Sequence, residues 1–62
     1  MKMKVYVARK GESIEKAIEK KDVEMVRTYT TPYQHILQLF FPGNKKMTLD
    51  VGFFDFWIVP QS

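Results

Sequence analysis

Ser13-Ile14-Glu15-Lys16-Ala17-Ile18-Glu19-Lys20-Lys21 is the stretch on which the fold turns, because it alone in the chain has helical periodicity. Ile14, Ala17 and Ile18 fall at i, i+3 and i+4 and form one apolar stripe, while Glu12, Glu15, Lys16, Glu19 and Lys20 face water. Ser13 is placed to act as N-cap, and acids early with Lys20-Lys21 late suit the helix dipole. A helix this short is unstable alone and has to dock on a sheet. On this reading the rest of the chain supplies that sheet.

Before the helix, Met3, Val5 and Val7 alternate with Lys4, Tyr6 and Ala8, the pattern of a half-buried strand that Gly11 ends. After Asp22 the stripe fails. Val26, Thr28, Tyr29, Thr30 and Thr31 are β-formers, so residues 23–31 read as a second strand closed by Pro32, with a helix continuing to residue 27 as the competing reading. The polar cluster Pro42-Gly43-Asn44-Lys45-Lys46 marks a hairpin. Pairing Phe41 with Met47 sets Leu39 opposite Leu49 and Leu37 opposite Val51 on one face, leaving Ile36, Gln38 and Phe40 on the other.

Phe53-Phe54-Asp55-Phe56-Trp57-Ile58-Val59 forms the last strand, ended by Pro60. Strict alternation through Gly52 would put Asp55 on the core face, where an unpaired carboxylate costs several kcal/mol. A bulge near Gly52 is therefore expected, turning Phe54, Phe56 and Ile58 inward and Phe53, Asp55, Trp57 and Val59 outward. The resulting fold class is α+β: β-α-β-β-β, a largely antiparallel four-stranded sheet with one short helix on one face, in a single domain over residues 1–62.

At 62 residues the core is thin, and with no cysteine neither disulfides nor thiolate metal sites reinforce it. The single His35 and seven carboxylates show no metal-ligand spacing. His35 has no Ser or Cys nucleophile beside it in the hairpin register, and Asp50 and Asp55 read as edge or turn charges. The chain is accordingly read as non-enzymatic, with no catalytic residue, no metal and no cofactor. Oligomerisation or a protein partner is the reinforcement that remains. No run of residues is long and apolar enough for a membrane span, Met1-Lys2-Met3-Lys4 is not followed by a signal-like apolar core, and a cytoplasmic location is expected.

One helix covers one face of a sheet, so the other is expected to be an aromatic contact surface of Ile36, Phe40, Phe53, Trp57 and Val59 that meets a second copy or another protein. The alternative partner is nucleic acid. Eight of the ten Lys and Arg lie in residues 1–31, and Lys2, Lys4, Lys45 and Lys46 with Tyr6 would contact phosphates and stack a base. Over Ser13–Ile18 the sequence is similar to the start of small oligomeric βα proteins such as tautomerases and dodecins. Lys2 stands where a tautomerase has its catalytic proline, and no fold, residue or cofactor is carried over from either.

Overall fold

In a computed structural model, which describes residues 2–61, the chain forms six strands: β1 Met3–Arg9, β2 Ile18–Val23, β3 Met25–Thr30, β4 His35–Phe41, β5 Lys45–Asp50 and β6 Phe54–Pro60. They make two three-stranded antiparallel sheets, ordered β2-β1-β6 and β3-β4-β5. The α+β expectation of one four-stranded sheet under a helix is thereby overturned. Among the described residues only Ile14–Lys16 is helical, as a single 3-10 turn.

The physical reason lies in what each arrangement buries. Ser13 stands at the N-cap position without a side-chain hydrogen bond, and Ala17 is already extended. Three apolar positions in two turns bury too little to offset the cost of nucleating a helix. As a strand, the segment from Ile18 pairs with β1, placing Ile18 opposite Val7, Glu19 opposite Tyr6 and Lys20 opposite Val5. The backbone hydrogen bonds then come from pairing with β1 rather than from local propensity.

The segment read as one strand, residues 23–31, is interrupted at Glu24, where the chain leaves one sheet for the other. One residue suffices because β2 is bulged just before the corner. Its register with β1 slips between Lys20 and Val23, and Asp22 has φ +60°, a left-handed conformation that Asp tolerates better than most residues. The slip turns Val23 inward, where it is fully buried. Gln61 braces the bulge: Asp22 N–H donates to its Oε1 at 2.9 Å, and its Nε2 donates to Asp22 Oδ1 at 2.9 Å. Beyond the bulge, Glu24 N–H donates to the Phe40 carbonyl at 2.8 Å and so begins the second sheet.

The β4–β5 hairpin is tighter than its polar cluster suggested. Its turn is Pro42-Gly43-Asn44, with φ +79° at Gly43 and +60° at Asn44. Pro followed by a left-handed Gly is the signature of a type II turn, which consumes fewer residues than a five-residue loop. Leu39 therefore pairs with Met47 and Leu37 with Leu49, two positions away from the expected register. A shift of two leaves every side chain on its expected face.

Gly52 is not a bulge. Val51-Gly52-Phe53 is the turn joining β5 of one sheet to β6 of the other. Asp50 Oδ1 accepts the Gly52 N–H at 2.8 Å, so close that a Cβ at Gly52 would lie 3.0 Å from that oxygen. The turn achieves the phase change for which a bulge was invoked. Val5 lies opposite Ile58 and Val7 opposite Phe56, so Phe54, Phe56 and Ile58 share the inner face while Asp55, Trp57 and Val59 face out. Between the sheets lie Val5, Val7, Val23, Leu37, Leu39 and Leu49, with Phe54 and Phe56 packed against them.

Candidate functional site: the open edge of β6 and the mouth between the sheets

The five residues expected to form one aromatic surface are divided by the two-sheet architecture. Trp57 and Val59 lie on the outer face of β2-β1-β6, beside Tyr6 and Lys4. Ile36 and Phe40 lie on the outer face of β3-β4-β5, on the opposite side of the core. Ile36 is only 7% exposed, between Tyr29 and Asp50 across the sheet. Phe53 sits in the connecting turn and is 68% exposed. The nucleic-acid set is divided likewise: Lys4 and Tyr6 belong to the first outer face, while Lys46 lies opposite Phe40 on the second. Lys45 is at the start of β5, Lys2 precedes β1, and no single platform unites the five.

Asp55, Asp50 and Glu19 each have a structural task. Asp55 lies on the edge strand β6 and is also engaged. It accepts the Gly11 N–H at 3.1 Å and the Lys10 ammonium at 3.2 Å, tying the β1–β2 loop to β6. Asp50 caps the β5–β6 turn and accepts from Gln34 Nε2 at 3.4 Å. Glu19 accepts the Tyr6 hydroxyl at 2.8 Å on the outer face and pairs with Lys21 at 3.5 Å. His35 is exposed at the start of β4, paired with Thr30. Among the described residues no group of three or more His, Cys, Asp or Glu is placed to hold a metal ion.

These contacts set a pH dependence. The Gly11 N–H, then Lys10, hold the Asp55 carboxyl below its ordinary value, and the Tyr6 hydroxyl, then the Lys21 and Lys4 charges, do the same for Glu19. Tyr6 is raised by the same bond. A depressed carboxyl contributes stability above its unfolded value, near 4, that is lost as pH falls through the folded one. A raised phenol contributes stability below about 10 that is lost as pH climbs through its folded value. Urea midpoints are thus expected to be flat near neutrality and to fall at both extremes. Asp55→Asn should remove part of the acid limb, and Tyr6→Phe the alkaline one. All three groups are solvent-accessible, so the changes are small.

What the sequence did not disclose is the character of β6 as an edge. It pairs with β1 on one side only. The ladder is bracketed by Lys10 N–H to Phe53 carbonyl at 2.9 Å and Gln61 N–H to Lys2 carbonyl at 3.1 Å. Hydrogen-bonded pairs alternate along an antiparallel ladder, so Phe53, Asp55, Trp57 and Val59 turn their backbone groups to β1. Phe54, Phe56, Ile58 and Pro60 turn theirs to the open side. Pro60 is tolerated because its missing N–H would have pointed there. Along that edge Asp55 is the only charge, and Ile58 and Val59 are 45% and 39% exposed.

The second feature is a cleft of about 320 Å³ where the inner faces part between β2 and β5, reaching β6 at Phe54. Its floor is Val7, Ile18, Met47, Leu49 and Phe54, and its rim is Arg9, Glu12, Lys16 and Lys20. Ile18 faces inward yet is 63% exposed, because nothing in the other sheet reaches over it. Glu12 and Lys16, at either end of the turn that replaces the start of the expected helix, instead line this mouth.

Comparison with protein-family models, with curated proteins and with solved structures finds no match for the chain. Among the described residues no helix is long and apolar enough to cross a membrane.

Proposed function

We propose that the protein is a small, non-enzymatic, cytoplasmic interaction module that associates with a second copy of itself through the free edge of β6. The observation that carries this reading is the disposition of β6: three consecutive inward-facing residues, Phe54, Phe56 and Ile58, offer both backbone groups to the open side of an almost uncharged strand. An unguarded apolar edge is a template for another strand.

The edge is also self-complementary. A two-fold axis at Phe56 brings two β6 strands together antiparallel, with Phe54 opposite Ile58 of the second copy and each Phe56 opposite its equivalent. Every row exchanges both hydrogen bonds, and none requires the N–H that Pro60 lacks. On the outer face the same register sets Val59 beside Phe53 of the second copy, covering two side chains left exposed in the single chain. The non-enzymatic reading is supported by the structural engagement of Asp50, Asp55 and Glu19, and the cytoplasmic one by a chain without cysteine. Sedimentation velocity over a concentration series is expected to show a monomer–dimer equilibrium. A single monomeric species at every concentration would contradict the proposal.

A further inference from the structure

The geometry points to the cleft between β2 and β5 as a binding site for an amphipathic anion, a linear acyl chain ending in a carboxylate. The cleft shares Phe54 with β6, but none of its polar rim lies on that strand. Its floor is apolar and its volume of about 320 Å³ is within the range of ligand sites. An apolar cavity of roughly 150 Å³ holds one benzene ring, so this space accepts a chain of about twelve carbons. The space lies between two sheets rather than along a strand, which suits a narrow flexible chain better than a peptide backbone.

Charge selects the head group. Arg9, Lys16 and Lys20 share the rim with a single acid, Glu12, and none of the four takes part in an ion pair among the described residues. Lys20 is the most telling. It lies opposite Val5 on the inward face of β2, where a strand buried on that side would carry an apolar residue. It is half-buried and lines the cleft, as a lysine whose stem covers apolar surface and whose ammonium stays in water would. Ile18, two residues earlier on the same face, is left bare, and an acyl chain seated against it and Met47 would cover what the second sheet does not.

The test is a titration of isotope-labelled protein with sodium dodecanoate below its micellar concentration, read by amide and methyl shifts at Val7, Ile18, Met47 and Leu49. Saturable shifts confined to these positions are expected. Dodecyltrimethylammonium, with the same chain and opposite charge, should bind at least about tenfold more weakly, the factor one charge-assisted hydrogen bond supplies. The Lys16→Glu/Lys20→Glu variant, checked for an unchanged spectrum in the absence of ligand, should lose that preference, and Met47→Ala should weaken both ligands alike. Equal binding of the two detergents, shifts centred on Ile58 and Val59 rather than the cleft, or no saturation would overturn the inference. So would binding of an acidic, apolar peptide in preference to dodecanoate.

Discussion

Leu39→Ala is expected to destabilise the protein by about 3 kcal/mol, within the range for a buried leucine truncated in a packed core. Leu39 is fully buried between the sheets and sits at the centre of its own, opposite Val26 on β3 and Met47 on β5. Truncating it removes transfer free energy and leaves a cavity that neighbours from two strands cannot easily fill. The total available is small. At the usual stability per residue a chain of this length has roughly 3 to 9 kcal/mol, so the variant would retain a fraction of it or none. With a urea slope of about 1 kcal/mol/M, the midpoint should fall by about 3 M. Thr48→Ala, at an exposed site on the other face of the same sheet, should shift stability by no more than about 0.5 kcal/mol. Equal effects of the two changes would show that the core does not lie between these sheets.

Ile58→Lys is expected to abolish association while leaving the fold nearly as stable. In the single chain Ile58 is 45% exposed and lies beyond the buried cluster, so losing it costs little there. In the proposed dimer it packs beside Phe54 of the second copy at both ends of the interface. Fully burying a large aliphatic side chain is worth about 1.5 to 3 kcal/mol; Ile58 is already half buried in the single chain, so the interface adds about half of that, and the two-fold makes the loss occur twice. The dimer dissociation constant should therefore rise by roughly tenfold to a hundredfold from lost burial alone. Lysine on an edge is also a device by which sheet proteins prevent pairing. Lys46→Glu, which alters charge on the outer face of the other sheet, should leave association unchanged.

Parity along each strand was legible in the sequence, because alternation is a local property. Val5 and Val7 are buried together, Leu37, Leu39 and Leu49 share the core, and Phe54 and Phe56 turn inward while Asp55 turns out. The division into two sheets was not legible. It depends on Glu24 and Asp22, where a corner and a left-handed residue occur with neither Gly nor Pro to announce them. Ile18–Val23 was misread for a related reason. Glu19-Lys20-Lys21-Asp22 contains no β-former, and the segment is a strand only because β1 offers it a ladder. The aromatic set failed as a surface at the same point. Ile36 and Trp57 each face outward, as parity requires, but from different sheets. The cleft was hidden because its rim combines Arg9 and Lys20 from two strands with Lys16 from a segment that reads as helix.

The most direct test of association through β6 acts on its backbone, since side-chain changes alter both packing and pairing. A chain of 62 residues is accessible to chemical synthesis, and N-methylation removes a single N–H without changing the side chain. N-methyl-Ile58 removes a donor aimed at the open edge, whereas N-methyl-Trp57 removes one aimed at β1. In sedimentation velocity at a concentration where the unmodified protein is dimeric, N-methyl-Ile58 is predicted to sediment as a folded monomer with an unchanged circular dichroism spectrum, and N-methyl-Trp57 to lose folded stability. A folded dimer persisting after methylation at Ile58 would contradict the account.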